Sequence, residues 1–185
     1  MTLIVIGLLI WVAAHLFNRV TGRPKIEPSS GKPYAVVSII VLASVVLMVI
    51  GYRSANGAVY WDRGNGLVWL NNLLMVAAFY CYAASAAKGV KIWLGRQIRH
   101  PQLTGFGLWA VAHLLVNGDT PSFILFGGLL AWAIVHARIL SATEGPWVRL
   151  PAAPRKKEIV ALVITVIVTC VVMGIHYALG AQPWG

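Results

Sequence analysis

The sequence predicts an all-α, polytopic membrane helix bundle with about six transmembrane helices and both the N and C termini on the periplasmic side. Three observations predict it. Of 185 residues, 59% are hydrophobic and only 11% charged, where a soluble domain has roughly 45–50% and about 25%. The apolar residues fall into six runs when read with a window of about 19 residues. The basic residues collect in alternate connections between those runs.

The first run extends from Leu3 to about Phe17 and the second from Tyr34 to Tyr52. Pro24, Pro28 and Pro33, with Gly22 and Gly31, make the connection between them irregular. The third run is Leu67 to Ala87, the fourth Pro101 to Asn117, the fifth Pro121 to Leu140 and the sixth Ile159 to Leu179. Between the fourth and fifth, Asn117-Gly118-Asp119-Thr120-Pro121 reads as a tight turn. Gly118 is expected to close one helix in a left-handed conformation, Asp119 or Thr120 to cap the next, and Pro121 to occupy its first turn. Pro151 and Pro154 break the last connection. No composition shift marks a second unit, so residues 1–185 read as one transmembrane domain.

The charges orient the bundle. The first, third and fifth connections hold thirteen of the fifteen Lys and Arg residues: Arg19, Arg23, Lys25 and Lys32, then Lys88, Lys91, Arg96 and Arg99, then Arg138, Arg149, Arg155, Lys156 and Lys157. Basic loops stay in the cytoplasm. The net charge of +10 is therefore a topology signal and not a nucleic-acid footprint. Lipid is the partner this composition requires. The first run has no basic residues ahead of it, which favours a retained helix over a cleaved signal. Cys81 and Cys170 sit in apolar runs and read as small buried hydrophobes.

The fourth run is the odd one. Seventeen residues reach only about 25 Å, short of the roughly 30 Å hydrocarbon core, and they include Gly105, Gly107 and His113. Such a helix needs shielding by neighbours, which places it centrally and close to the working site.

All five histidines, His15, His100, His113, His136 and His176, lie in or beside apolar runs. Ionisable residues at membrane depth mark function by default, against the alternative of a neutral imidazole bonded to a neighbouring helix. Three share a pattern: Trp11, Trp109 and Trp132 each precede a histidine by four residues, with small or β-branched residues between. That spacing puts indole and imidazole on one helix face, a turn apart, and such a face suits a flat aromatic cofactor. Haem iron fits neutral imidazole best, whereas zinc would want a compact cluster of ligands. In Arg99-His100-Pro101 the proline holds His100 extended, aiming an Arg and a His at the cytoplasmic mouth of the fourth helix. They can contact an anion, a haem propionate or a substrate, or act as a snorkelling anchor. His176, near Tyr177 and Trp184, reads as an interfacial anchor.

The run Arg99-His100-Pro101-Gln102-Leu103-Thr104-Gly105, followed by Leu108-Trp109-Ala110-Val111-Ala112-His113-Leu114-Leu115-Val116-Asn117-Gly118-Asp119, resembles the signature of NnrU proteins. Leu125-Phe126-Gly127 and the first-helix His15 also match, and the similarity extends over nearly the whole chain. NnrU proteins are associated with nitrite and nitric oxide reduction in denitrifying bacteria. The family is related to the zeta-carotene isomerase, a haem b membrane enzyme that turns a cis double bond to trans. The resemblance implies a bacterial inner-membrane protein, haem b as cofactor and His15 and His113 as axial iron ligands, with the R-H-P motif falling on Arg99 and His100; the Trp–His spacing adds Trp11 and Trp109 as cofactor contacts. It implies nitric oxide or a lipid-soluble substrate, and a membrane redox partner. The isomerase carries a Cys where this chain has Ala110, so thiol-for-imidazole switching does not carry over.

Depth competes with that pair. By the topology above, His15 and His136 both lie toward the cytoplasm, while His113 is roughly 18 Å along the fourth helix. His136 is therefore the alternative partner of His15. The functional readings are a haem protein of nitrogen-oxide metabolism, a haem-dependent polyene isomerase with isomerase-like activity, an R-H-P-x-x-x-G membrane methyltransferase, and a structural assembly partner without cofactor. The methyltransferase would want paired downstream glutamates, and only Glu144 and Glu158 remain.

Overall fold

The computed structural model describes residues 1–20, 32–86 and 89–184. Six helices dominate: α1 (Thr2–Val20), α2 (Lys32–Ser54), α3 (Asn65–Ala86), α4 (Pro101–Val116), α5 (Thr120–Thr143) and α6 (Arg155–Ala178). The six apolar runs thus become six helices. Arg23, Lys25, Lys88, Pro24, Pro28, Gly22 and Gly31, read above as parts of basic or irregular connections, lie outside the described residues.

Four helical stretches are long and apolar enough to cross a membrane: Val36–Ser54, Gly66–Ala86, Thr120–Thr143 and Arg155–Ala178. Thr2–Leu16 and Pro101–Val116 are shorter apolar helices. The large side chains point outward in a way only lipid tolerates. Leu9, Ile39, Leu42, Leu73 and Val166 are each at least 60% exposed, and contiguous apolar surface on this scale marks a membrane contact.

Small residues bring the helices together. A Cβ on Gly7 would lie 2.8 Å from the Ser44 carbonyl, and one on Gly51 would lie 2.7 Å from the Ile4 amide nitrogen. These two contacts lock α1 and α2 as an antiparallel pair at backbone distance, the small-residue packing that membrane helices use. Gly105 does the same for α4 against α3, where an added Cβ would meet the Ala78 carbonyl at 2.7 Å. The main core gathers Ile4, Met48, Ala110, Leu125, Phe126 and Leu129, from α1, α2, α4 and α5.

Two expectations change at the α4–α5 turn. Gly118 does not close α4 in a left-handed conformation, since the described residues with positive φ are Gly89, Gly145 and Gly180. The helix ends at Asn117, at φ −132° and ψ 87°. Gly118–Asp119 (β2) then pairs antiparallel with Val59–Trp61 (β1) from the α2–α3 connection. Strand pairing and the indole N–H of Trp61, which donates to the Leu115 carbonyl at 3.2 Å, satisfy groups that a left-handed cap would have served. The Asp119 cap is present: its carboxylate accepts from the Ser122 amide at 2.8 Å. The second difference lies inside α5, where Phe123–Gly127 form a π-turn that the sequence did not announce. Helix α6 begins at Arg155, four residues before the expected Ile159, because Pro154 sets its start.

On the opposite face Lys91 pairs with the last connection. Its amide donates to the Pro151 carbonyl at 2.9 Å and its carbonyl accepts from Ala153 at 2.8 Å. Glu158, in the first turn of α6, accepts from the Trp93 amide at 2.6 Å and the Tyr80 hydroxyl at 3.4 Å. These contacts fix the α3–α4 connection against the base of α6.

Candidate functional site

The Trp–His pattern becomes geometry on three helices. In α1 the rings of Trp11 and His15 are 4.2 Å apart, in α4 those of Trp109 and His113 are 5.0 Å apart, and in α5 those of Trp132 and His136 are 5.3 Å apart. Helices α1 and α5 lie side by side with these units level. Trp11 meets Trp132 at 5.2 Å, and His15 faces His136 at 6.4 Å. Phe106 of α4 closes the group, 5.9 Å from Trp11, 5.1 Å from Trp132 and 5.1 Å from Trp109.

His113 is elsewhere. Trp11, which touches Phe106, is four residues from His15, and His113 is seven residues beyond Phe106 on a helix running the other way. At about 1.5 Å per residue these offsets separate His15 and His113 by roughly 16 Å along the bundle. The structure therefore does not bring together the two histidines that the resemblance implies as ligands of one iron. The ring opposite His15 is His136. His113 instead packs on Phe126 at 4.7 Å and faces His176 at 6.3 Å. Phe106 and Phe126, which join the Trp–His units, went unread in the sequence because a phenylalanine in an apolar run carries no mark of its own.

The protonation pattern suits metal ligation. His15 Nδ1–H donates to the Trp11 carbonyl at 2.9 Å, and His113 Nδ1–H donates to the Trp109 carbonyl at 2.9 Å. A backbone acceptor on Nδ1 leaves Nε2 with its lone pair free for a metal. The spacing suits it too. Bonds of about 2.0–2.1 Å from two imidazoles to one metal, as for zinc, place opposed ring centres roughly 6 Å apart.

The donor set here is two imidazoles. Among the described residues no group of three or more His, Cys, Asp or Glu side chains is placed to hold a metal ion. A bare ion at His15 and His136 would be short of the four ligands it prefers. A haem supplies four nitrogens of its own and asks the protein for axial ligands only. The indole N–H groups of Trp11 and Trp132 are buried without a hydrogen-bond partner, and Trp132 is only 6% exposed. An orphaned donor costs about 1–3 kcal/mol. Two of them beside one His pair fit a bound group that carries acceptors, such as a haem propionate.

Arg99 and His100 are placed at the base of α4. His100 does not take the fully extended conformation expected before Pro101 but lies at φ −122° and ψ 67°, and its Nε2 shares a 2.9 Å hydrogen bond with the Ser141 hydroxyl of α5. Arg99 donates to the Gly145 carbonyl at 2.6 Å. They border a cleft of about 290 Å³ with Lys91, Gln102, Leu140 and Trp147. Burial pushes the His100 imidazole below its ordinary value; nearby Glu144 opposes this and Arg99 adds to it. Burial likewise lowers the Lys91 ammonium, which donates to the Ser85 carbonyl at 2.7 Å.

Long apolar helices with lipid-type surfaces, packed around paired imidazoles, define a helical membrane protein with a histidine-rich interior. The NnrU family model, described as NnrU protein, matches residues 3–183, and the chain belongs to that family. No curated protein and no solved structure matches it.

Proposed function

We propose that this NnrU protein is a haem b protein of the bacterial inner membrane, acting in nitrite and nitric oxide metabolism, with His15 of α1 and His136 of α5 as the axial ligands. The observation that carries the proposal is the 6.4 Å separation of those two rings, a spacing compatible with two imidazoles on one metal. The buried indole donors of Trp11 and Trp132 support it. When bound, haem supplies one-electron chemistry and affinity for small diatomic ligands. The chain's own part is to present Nε2 of His15 by tying Nδ1 to the Trp11 carbonyl, and to wall the site from water with Trp11, Trp132 and Phe106.

In this reading all six helices cross the bilayer, with the first, third and fifth connections in the cytoplasm and both termini in the periplasm. Helix α4, sixteen residues long, spans about 24 Å and is shielded along its length by α3 and α5. A second reading, an isomerase acting on a lipid-soluble substrate, is favoured by the cleft beside Arg99 and His100, which joins basic side chains to the apolar walls of Leu140 and Trp147.

The test is an absorption spectrum of the detergent-purified protein, expressed with haem supplementation, oxidised and reduced. A Soret band with the sharp reduced bands of two-imidazole ligation is expected, and His15→Ala and His136→Ala each lose the same contribution to it. Absence of a Soret band in either redox state defeats the haem reading. A spectrum that neither substitution changes moves the iron away from this pair.

A further inference from the structure

We propose that His113 and His176 form a second two-imidazole metal site, separate from His15 and His136 and toward the other end of the bundle. It extends the haem reading above and is built from geometry that the first site does not use.

The ring centres of His113 in α4 and His176 in α6 lie 6.3 Å apart, within 0.1 Å of the separation between His15 and His136. Both imidazoles have the same preset tautomer. His176 Nδ1–H donates to the Val172 carbonyl at 2.8 Å, as His113 Nδ1–H donates to Trp109 at 2.9 Å. Each carbonyl lies four residues back on its own helix, so each Nε2 keeps its lone pair. Two helices thus bring two imidazoles, each with its Nδ1 tied to its own backbone, to a ring-centre separation of 6.3 Å. An interfacial anchor needs no such partner, and that simpler role for His176 does not account for the facing ring.

The same ligand arithmetic selects the occupant. Two imidazoles are too few for a bare ion with protein ligands alone, among the described residues, and are the full axial set for a tetrapyrrole iron. His176 is exposed while His113 is packed under Phe126, so the site opens outward through its α6 side. The two sites are joined by side chains in ring contact. His15 touches Trp132 at 5.0 Å, Trp132 touches Phe106 at 5.1 Å, Phe106 touches Trp109 at 5.1 Å, and Trp109 touches His113 at 5.0 Å. An unbroken aromatic path between the two imidazole pairs is what two communicating centres in one small bundle would need.

The experiment counts metal centres on the full chain, purified without a polyhistidine tag after expression with haem supplementation. Haem per chain is measured as the pyridine complex, iron, copper and zinc by elemental analysis, and low-spin ferric signals by electron paramagnetic resonance. The wild type is expected to hold two haems per chain. His176→Ala and His113→Gln should each hold one and lose the same resonance signal, while His15→Ala loses the other. Added imidazole should restore the missing signal in His176→Ala. His176 is exposed, so that variant is the one least exposed to misfolding, and far-ultraviolet circular dichroism checks it. A non-haem metal lost only from the His113 and His176 variants sustains the site with a bare ion as occupant. One haem lost in the His113 and His176 variants but kept in His15→Ala sustains it and overturns the reading at His15 and His136. One haem lost in His15→Ala and kept in both others, with no second metal, overturns it, as does a wild type holding neither haem nor metal.

Discussion

Two glycines one turn-fragment apart on α4 should respond in opposite ways to the same substitution. A Cβ on Gly105 would sit 2.7 Å from the Ala78 carbonyl oxygen and 3.0 Å from the Cys81 Cβ of α3. Neither atom can swing aside, so the helices must part by several tenths of an ångström. A Cβ on Gly107 would meet only the flexible Leu130 Cδ1, at 3.5 Å, an ordinary contact. Alanine gains about 1 kcal/mol of helix propensity over glycine at either position, and overpacking costs about 1–3 kcal/mol. Propensity cancels between the two variants, so their difference isolates the clash at about 1–3 kcal/mol. At about 2–4 °C per kcal/mol for a chain of this size, Gly105→Ala should melt roughly 2–12 °C below Gly107→Ala in the same detergent. Phe106 follows Gly105 and touches Trp11 and Trp132. Displacing α4 should therefore also shift the absorption bands of a bound haem, and Gly107→Ala should not. Equal melting temperatures for the two variants would refute the close approach of α4 and α3 that sets this part of the site.

The His100 imidazole is protonated near pH 6.5 in the unfolded chain and only at lower pH in the folded one. The stability it contributes as a neutral ring is full above pH 6.5 and falls as the pH drops from there toward the folded value; melting temperature against pH should show this loss, and His100→Gln should flatten it. Glu158→Ala removes the acceptor of Trp93 N–H and Tyr80 O–H, a loss of about 1–3 kcal/mol; trypsin should then cut after Lys91 and Arg96 faster than in the wild type, and unchanged cleavage would free the connection from Glu158. In a background of Cys81→Ala and Cys170→Ala, an Asn56→Cys variant should react with an impermeant maleimide from outside the cell, and Thr143→Cys only after permeabilisation. The reverse pattern would invert the bundle.

The helices were legible because membrane burial writes itself as runs of apolar residues, and each run returned as a helix within a few residues at most ends. The Asp119 cap was legible because it is local chemistry, one side chain and one nearby amide. The fate of Gly118 was not, because it depends on Val59–Trp61, nearly sixty residues earlier, arriving to pair with it. The π-turn at Phe123–Gly127 is set by the packing of α5 against its neighbours and leaves no periodic mark. The closeness of His176 to His113 was not legible for a related reason. Its sequence surroundings, Tyr177 and Trp184, suit an interface, and Tyr177 does lie 5.7 Å from Trp184. Only the rotation of α6 about its axis decides that the imidazole faces His113.

The arrangement of the histidines follows from helix direction alone. A Trp four residues before a His is a polar unit, with indole at one end and imidazole at the other. Helices α1 and α5 run the same way, so their units stack level, indole on indole and imidazole beside imidazole. Helix α4 follows α3 and precedes α5 through a tight turn, so it runs opposite, and its unit is inverted. The indoles of all three helices therefore gather about Phe106 in the middle, and the imidazoles are driven to opposite ends. Three copies of one local pattern cannot make one three-histidine site in such a bundle. They make a pair at one end and a single His at the other, and the single one meets its partner only because α6, whose direction carries no Trp–His unit, brings His176 to the same level.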